Sequence, residues 1–466
     1  MDTWRVKVAD LRIREGASDY RIYQQNASGR ADIAVGGTWE KEATGTHHKV
    51  WVRLMRETDN VPAQPAGRLW FDADTATDDG TWRHTFRDVP AGGPYRIETQ
   101  LVWTGADGLQ AGRRGDMVHF LGVGDLWLVA GQSNASGTGH GAAEDGPQIG
   151  VHVQGNDERW RLAAHPLNEP AGTDHPNRDA NPGTSPALRF AKTLSRELGY
   201  PIGLVQTAKG GSALVEWHVE EDPQAKLWHN MVHCVRLAGG RIRGMLWYQG
   251  CSDGTEPKCY ETYEQRFARF IARAREAFGP FALVATQINR WTDVDHPPQI
   301  HLGWSKIREA QRQVGRLGDA VVVPSFNAPL SDGIHNSAAG NVILGERAAR
   351  AALGAFYGRD IAWRAPNVRS ATAGDDGKSI TLIFDDVTSQ LVFIGKGRDE
   401  FVVEDAAGRA EVAEARCDGA RVVLRLSRSL EGEAQVHGAY GIDPAWTLCD
   451  YATNLPALAF YGLPVA

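Results

Sequence analysis

The sequence predicts an α/β protein in which a parallel sheet between helices is flanked by β-rich regions on both sides. Short apolar runs that alternate with helical patterns fill the middle of the chain, and β-rich runs separated by turns fill both ends. The 466 residues are too many for one compact core. We therefore expect an N-terminal β-sandwich over 1–120, an α/β domain over 121–361 and a C-terminal β domain over 362–466.

The two ends of the chain are rich in residues that favour strands and poor in helical periodicity. Turn signals such as DDG and PAGGP separate the N-terminal runs, and glycine-containing turns separate the C-terminal ones. The N-terminal runs are WRVKVADLRI, HKVWVRLMRE, WRHTFRDV and YRIETQLVW. The C-terminal runs are SITLIFDDV, LVFIGKG, FVVEDAAG, RVVLRLS and AQVHGAYG.

The middle of the chain reads as alternating strands and helices. Near-continuous apolar runs are typical of strands buried on both faces of a parallel sheet. These runs are DLWLVA (125–130), IGLVQTA (202–208), GMLWYQ (244–249), FALVATQI (281–288) and AVVVPSF (320–326). Between them, Ser185-Pro186 starts a helix that Gly199 ends, and an apolar stripe predicts a second helix over about 260–278.

Composition and charge exclude several classes of function. The net charge is −7 and the pI is about 6.1, so neither nucleic acid nor an anionic membrane is an expected partner. No apolar run is long enough to cross a bilayer, and spacings such as CxxC or HExxH are absent from the sequence, so we expect no metal and no cofactor. Residues 1–20 lack the apolar stretch of a signal peptide. The expected location is cytoplasmic, unless a leader has been removed, in which case it is periplasmic or secreted. The sequence leaves the oligomeric state open.

Four polar loops follow the predicted strands. They contain Gly131-Gln132-Ser133-Asn134, Lys209-Gly210-Gly211-Ser212, Tyr248-Gln249-Gly250-Cys251 and Ser331-Asp332-Gly333-Ile334-His335. Because the carboxyl ends of parallel strands meet at one edge of a sheet, ligands bind in the crevice that these loops form. The sequence therefore predicts one site built from all four loops.

These loops contain the parts of an acyl-transfer site. Ser133 is the candidate nucleophile, and a serine hydroxyl needs a base, most often a histidine oriented by a carboxylate. Asp332 and His335 are close enough in sequence for one tight turn to place them side by side. No motif is specific alone, since Ser133 could serve only a turn and Asp332 could cap a helix starting near Asn336. Their order at successive strand ends favours catalysis.

A tetrahedral intermediate also needs hydrogen-bond donors for its oxygen. The candidates are the backbone N–H of Ser133, the backbone N–H groups of Gly210 and Gly211, and the side-chain amide of Gln249. The nucleophile differs from the GxSxG elbow of lipase-like folds, because Ala135 stands at the fifth position.

The motifs GDLWLVAGQSN, AKGGS, WYQGCSD and DGIH resemble the four conserved blocks of SGNH hydrolases, in the branch named for sialate O-acetylesterase. PAGGPYRI, IREAQ, GERAARAAL and NLPALAF are also similar to stretches of that branch. The resemblance implies a flavodoxin-like domain and hydrolysis of acetyl esters on an oligo- or polysaccharide. It assigns the triad to Ser133, Asp332 and His335. It also assigns the oxyanion donors to Ser133, the glycine loop, where we favour Gly211 over Gly210, and Gln249.

The third block departs from the family pattern. The family usually has WYQGE, whereas this chain has Cys251 at the glutamate position. A carboxylate that could hold a neighbouring loop is therefore missing at that position, and local geometry becomes less predictable. The sequence leaves three interpretations of Cys251 open: a disulfide with Cys259, an inert buried thiol, or a reactive thiol beside the site.

Candidate substrate contacts lie beside the same loops. They are Asn134 next to the nucleophile, Trp217 after the glycine loop and Trp291 after the fourth strand, whereas Trp247 is expected to pack in the core. The sequence leaves two alternatives to a carbohydrate acetylesterase open. One is a carbohydrate-binding protein whose esterase site has decayed, and the other is an esterase for a lipid, thioester or other non-sugar ester.

Overall fold

A computed structural model describes residues 11–43, 45–63, 69–169, 175–179, 181–293 and 295–466. Residues 4–10 of the first predicted strand lie outside these ranges. The chain forms two compact units. One contains 1–126, 147–163 and 195–205, and the other contains 127–146, 164–194 and 206–466. The division into three domains at 120/121 and 361/362 stays a prediction.

The structure contains helices in its middle part and strands throughout. The helices are α1 (Ser133–Ser136), α2 (Pro186–Leu198), α3 (Lys226–Ala238), α4 (Pro257–Tyr260), α5 (Tyr263–Phe278), α6 (Pro298–Gln313) and α7 (Ala338–Phe356). The strands before α3 are β1 (Leu11–Glu15), β2 (Ile22–Gln24), β3 (Arg30–Trp39), β4 (Thr46–Arg56), β5 (Phe71–Asp72), β6 (Thr75–Ala76), β7 (Thr81–Pro90), β8 (Gly92–Thr104), β9 (Gln110–Gly131), β10 (Val151–Gln154), β11 (Trp160–Leu162) and β12 (Ile202–Gln206).

The remaining strands follow α3. They are β13 (Gly244–Tyr248), β14 (Ala282–Thr286), β15 (Ala320–Val323), β16 (Asn367–Ala373), β17 (Ser379–Asp385), β18 (Leu391–Phe393), β19 (Phe401–Asp405), β20 (Gly408–Ala410), β21 (Val412–Asp418), β22 (Arg421–Leu426), β23 (Gln435–Gly438), β24 (Leu448–Asp450) and β25 (Phe460–Pro464).

The first unit is built mainly from antiparallel sheet. One sheet has the order β1-β3-β7-β6, and in another β4 pairs with β5 and β8, and β8 pairs with β9. Along β3, buried residues such as Ile33 and Val35 alternate with exposed ones, which is typical of a strand with one face in the core. Buried residues of both sheets form one hydrophobic cluster. In the same unit, β10 pairs in parallel with β12 and antiparallel with β11.

The second unit contains the parallel sheet that positions the site. The last part of β9 pairs in parallel with β13, which pairs with β14, which pairs with β15. In β14 every residue from Ala282 to Thr286 is buried, as expected for a strand covered on both faces. The predicted strands and their parallel pairing in this unit are therefore confirmed. The fold class is mixed α/β with several additional β-sheets.

The chain after 361 forms antiparallel sheets, as its composition predicts. One has the order β16-β17-β22-β21, a second has the order β20-β19-β23-β25, and β18 pairs with β24. Their buried residues share one hydrophobic cluster that includes Ile380, Leu382 and Val422. These strands lie in the same compact unit as the parallel sheet.

The two predicted helices are present, with one shifted start. The helix predicted to start at Ser185-Pro186 is α2 (Pro186–Leu198), which lies in front of Gly199, and the helix predicted from about residue 260 is α5, which starts at Tyr263. The preceding residues form the separate short helix α4, which starts at Pro257. A proline at the first helical position favours a new helix start there, because its missing N–H has no acceptor to lose.

Candidate active site

The nucleophile candidate lies where β9 turns into α1. Gly131 ends the strand with φ +126°, and a Cβ there would lie 2.3 Å from the carbonyl oxygen of Tyr248. Only glycine allows this close approach of two strand ends. Ser133 is the first residue of α1, so its N–H has no acceptor within the helix. Among the described residues no other acceptor contacts this N–H, so the half-buried Ser133 combines a hydroxyl with an unpaired backbone donor.

Asp332 and His335 form a tight turn that reaches Ser133. Oδ1 of Asp332 accepts hydrogen bonds from the N–H groups of Ile334 (2.9 Å) and His335 (2.7 Å). Oδ2 of Asp332 lies 2.7 Å from Nδ1 of His335, and Nε2 of His335 lies 2.9 Å from Oγ of Ser133. The structure thus brings the three predicted residues into one hydrogen-bonded chain.

The alternative that Asp332 caps a helix near Asn336 is wrong. Helix α7 begins at Ala338, and Ser337 is its N-cap, whose hydroxyl accepts the N–H of Gly340. Both carboxylate oxygens of Asp332 are instead used within the turn.

The hydrogen bonds to Asp332 also determine its charge. Partial burial raises the pKa of this carboxyl, but the hydrogen bonds from Ile334 and His335 lower it by more, so the net pKa lies below its ordinary value. Asp332 is therefore ionised at neutral pH and favours the imidazole tautomer with its proton on Nδ1. In that tautomer, Nε2 is free to accept the proton of the Ser133 hydroxyl.

Asn134 lies beside the nucleophile but does not face a ligand. Its Nδ2 donates to the carbonyl of Ile334 (3.2 Å), and its Oδ1 accepts the N–H of Asn336 (2.9 Å). The side chain is 3% exposed. The structure contradicts the expectation of a substrate contact, because both ends of the amide connect α1 to the turn of Asp332 and His335.

The glycine loop presents one backbone donor. The N–H of Gly210 donates to Oδ2 of Asp179 at 3.0 Å, so the structure contradicts Gly210 as an oxyanion donor. Among the described residues, no acceptor contacts the N–H of Gly211. The carbonyl of Gly211 accepts the hydroxyl of Ser252 at 3.0 Å. Gly211 has φ +72°, and a Cβ there would meet no atom within 4 Å, so this residue borders open space.

Gln249 is not available as an oxyanion donor either. Its Nε2 donates to the carbonyl of Ser212 (3.1 Å) and to Oδ2 of Asp253 (2.6 Å), while its Oε1 accepts the hydroxyl of Tyr263 (2.8 Å). Both amide protons are therefore used, and the side chain is fully buried. Gln249 therefore connects the third loop to the glycine loop by hydrogen bonds. The prediction of a donor role is contradicted for this reason.

Trp217 also lies in the core. It is 0% exposed, its Nε1 donates to Oγ of Ser212 (3.1 Å), and its ring packs edge-on against Trp247 at 5.5 Å between centroids. The expectation that Trp217 contacts the substrate is contradicted, because the large apolar ring gains more from burial than from a place in a cleft. The expectation that Trp247 packs in the core is confirmed.

Trp291 remains a candidate substrate contact. It is half-buried, and its ring centroid lies 3.7 Å from that of His296. The next residue, Thr292, donates its N–H to the carbonyl of Gly333 at 2.7 Å. Trp291 therefore lies on a loop that is hydrogen-bonded to the turn of Asp332 and His335.

Cys251 is an inert buried thiol. All five cysteines are free, so a disulfide with Cys259 is excluded. Cys251 is 6% exposed, and burial raises the pKa of its thiol to about 12, which argues against a reactive thiolate. Nearby Arg308 is fully buried and donates to backbone carbonyls of residues 288–289 and 439–442. Burial lowers the pKa of Arg308 to about 9.

A carboxylate is nevertheless present in the third loop, two residues after Cys251. Asp253 is 1% exposed and accepts hydrogen bonds from Gln249, from the N–H of Leu214 (2.8 Å) and from Arg266 (3.3 Å). Burial raises the pKa of Asp253 despite these bonds. The sequence showed Asp253 within WYQGCSD, but its connection to Gln249 was not predicted.

Asp179 is a second acidic residue that the sequence did not indicate. It lies between β11 and α2 in a loop without a recognisable motif, and it contacts both α1 and the glycine loop. Only the tertiary structure places this residue beside the site.

Within the described ranges, no group of three or more His, Cys, Asp and Glu side chains is arranged to hold a metal ion. No helix in the same ranges has the length and hydropathy needed to span a membrane.

The sequence matches a family model and several known proteins. Residues 123–354 match the family described as carbohydrate esterase, sialic acid-specific acetylesterase. A probable carbohydrate esterase of Arabidopsis thaliana is 28% identical over 254 residues, which cover 50% of this chain and 91% of that protein. Human sialate O-acetylesterase is 24% identical over 267 residues, which cover 47% of this chain and 50% of that protein.

The fold of nearly the whole chain is also found in a solved structure. A carbohydrate acetylesterase from Xanthomonas citri superposes with a TM-score of 0.66 at 22% identity, and the match covers 95% of this chain and 97% of the other. At this identity the likeness concerns the fold. It extends beyond the segment that matches the family model, into the β-rich ends of the chain.

Proposed function

We propose, from the premise that residues 123–354 belong to the carbohydrate esterase, sialic acid-specific acetylesterase family, that this chain removes O-acetyl groups from a carbohydrate with Ser133 as its nucleophile. Membership of that family makes the chain a carboxylic ester hydrolase. The assignment of the individual residues is our own. The observation that carries it is the chain of two short hydrogen bonds from Asp332 through His335 to Ser133.

The first half of the proposed reaction acylates the enzyme. Oγ of Ser133 attacks the acetyl carbonyl carbon while Nε2 of His335 takes its proton. The negative charge on the carbonyl oxygen is stabilised by the N–H groups of Ser133 and Gly211, which have no acceptor among the described protein atoms. The intermediate then collapses: the bond between the acyl carbon and the sugar oxygen breaks, and His335 gives its proton to that oxygen, so the sugar leaves with a free hydroxyl.

The second half releases acetate. Water attacks the acetyl carbonyl of the acyl-enzyme while Nε2 of His335 takes a proton from it. The bond between the acyl carbon and Oγ of Ser133 breaks, and His335 returns the proton to that oxygen. Asp332 stays ionised throughout and holds the imidazole orientation. Preorganised backbone donors of this kind are usually the largest contribution to such catalysis.

The substrate proposed is an acetylated oligo- or polysaccharide. Trp291, beside the turn of Asp332 and His335, is the proposed stacking contact for a sugar ring, because aromatic faces pack well against the apolar face of a sugar. The alternative is a carbohydrate-binding protein whose esterase site has decayed. It is disfavoured because Ser133, Asp332 and His335 are hydrogen-bonded to one another. The three-part arrangement with a flavodoxin-like centre and flanking β-sandwich domains is likewise proposed.

The experiment that tests the substrate class measures acetate release from acetylated xylan and acetylated sialic acid, and 4-nitrophenol release from 4-nitrophenyl esters of increasing chain length. We expect turnover of at least one acetylated glycan and a steep fall in kcat/KM beyond the acetyl ester. Trp291→Ala should raise KM for the glycan while leaving 4-nitrophenyl acetate unaffected. Efficient hydrolysis of long-chain esters together with no acetate from any glycan would favour a non-sugar ester instead.

A further inference from the structure

The carboxylate of Asp179 joins the two segments that supply the proposed oxyanion donors. Its Oδ2 accepts the hydroxyl of Ser136 at 2.7 Å and the N–H of Gly210 at 3.0 Å. Ser136 is in α1, the helix that begins with Ser133, and Gly210 precedes Gly211. We propose that Asp179 is a positioning residue that fixes the Gly211 N–H relative to Ser133. This inference rests on the proposed function.

The carboxylate of Asp179 lies directly over the Cα of Gly210. A Cβ on Gly210 would lie 2.4 Å from Oδ2 and 3.0 Å from Oδ1 of Asp179. The carboxylate therefore occupies the space that a side chain at 210 would need. The hydrogen bond from the N–H of Gly210 to the same oxygen, at 3.0 Å, ties the glycine loop to this carboxylate.

Asp179 also determines which backbone group of the loop is available. With its N–H donated to Asp179, Gly210 cannot compete with Gly211 for the substrate oxygen. Without the carboxylate, the loop would present two adjacent donors, of which only one has the right position. A displacement of about 1 Å in such a group can cost ~10²-fold in rate.

The burial of this carboxylate indicates that its position is structurally specified. Asp179 is 8% exposed, and among the described residues no Lys, Arg or His forms an ion pair with it. A buried charge without a cation is unfavourable unless hydrogen bonds compensate for the lost water. Ser136, which is fully buried, and Gly210 supply those bonds. On the other side of the loop, Ser252 holds the carbonyl of Gly211.

The test measures kcat and KM of the full chain for 4-nitrophenyl acetate, together with inhibition by phenylboronic acid, which forms a tetrahedral adduct on an active serine. For Asp179→Ala we expect kcat to fall by about 10²-fold at unchanged KM. Inhibition should weaken by a similar factor. Asp179→Asn keeps an oxygen acceptor for Gly210 and should retain most of the activity.

Asp450→Ala is the matched control, because Asp450 is also buried and accepts backbone N–H groups and a hydroxyl, in the C-terminal sheets. It should leave kcat unchanged. Wild-type kcat in Asp179→Ala, or an effect confined to KM, would overturn the inference. If Asp179→Ala does not fold, Gly210→Ala carries the test, since its Cβ would push the loop off Oδ2. We then expect lowered kcat at unchanged KM, and wild-type kinetics would overturn the inference.

A double variant separates positioning from general damage. If Asp179 fills the space over Gly210, the penalty of Gly210→Ala should shrink once Asp179→Ala removes the clash, so the two effects will not multiply. If the two effects multiply independently, the steric contact between Asp179 and residue 210 is refuted. Failure of the proposed function gives a different result, namely a wild-type protein that is inactive or unaffected by Ser133→Ala.

Discussion

Ser133→Ala will lower kcat for acetyl esters by about 10⁴–10⁶-fold, because the variant has no oxygen that can form the acyl-enzyme. The residual rate comes from the remaining backbone donors and from substrate binding. The effect should be large on both 4-nitrophenyl acetate and an acetylated glycan. Thermal stability should change little, since among the described residues the hydroxyl of Ser133 hydrogen-bonds only with His335. Steady-state acetate release and a thermal melt check both parts.

Ser429→Ala is the control for this prediction, because Ser429 is an exposed serine in the C-terminal part of the chain. It should behave as wild type. Retention of more than a few per cent of the wild-type kcat in Ser133→Ala would mean that another group attacks the ester, and the proposed roles of His335 and Asp332 would be lost with it.

Asp332→Asn will lower kcat by about 10⁴-fold, as expected when the orienting carboxylate of such a triad is neutralised. An asparagine amide facing Nδ1 donates a hydrogen bond and therefore favours the wrong imidazole tautomer. The net pKa of Asp332 lies below the ordinary value of an aspartate. The wild-type carboxylate therefore stays charged as the pH falls from neutral towards that ordinary value. The neutral variant thus differs from wild type across the whole neutral range. A pH profile of kcat/KM for both proteins measures this.

Asp376→Asn is a close structural control for that substitution. Oδ1 of Asp376 also accepts two backbone N–H groups in a tight turn, from Lys378 (2.9 Å) and Ser379 (3.0 Å), but its Oδ2 contacts Arg425 (3.1 Å) instead of a histidine. The esterase activity of the Asp376→Asn variant should be unchanged. If Asp332→Asn kept wild-type kcat at all pH values, the carboxylate would serve only the turn, and the proposed triad would be refuted.

The parallel sheet could be predicted from sequence because strands buried on both faces leave a simple signal. The apolar runs at 244–249 and 281–288 correspond to β13 and β14, although each strand ends before its run does. The residues that follow, such as Gln249 and Asn289, are buried polar groups of the site loops. Apolar patterning thus locates a buried strand but not the residue at which it ends.

The triad candidates could also be identified from sequence, because a tight turn brings Asp332 to His335 by local geometry alone. The groups that donate hydrogen bonds to the oxyanion could not be identified from sequence. Whether an amide is free depends on tertiary partners that have no sequence signal: Asp179 for Gly210, and Asp253 for Gln249. The same holds for Asn134, whose partners lie about 200 residues away in the chain. Side chains beside a motif are therefore predicted less well than the motif itself.

Whether Ser133 is the nucleophile is tested most directly by covalent labelling of the full chain with a fluorophosphonate, followed by intact-mass and peptide mass spectrometry. An activated serine displaces fluoride and keeps the phosphonyl group. We expect one adduct per chain, located on Ser133, formed in parallel with loss of esterase activity and absent from Ser133→Ala. Labelling of Ser133→Ala at the wild-type rate, or no adduct on a wild-type protein that hydrolyses acetyl esters, would contradict this role of Ser133.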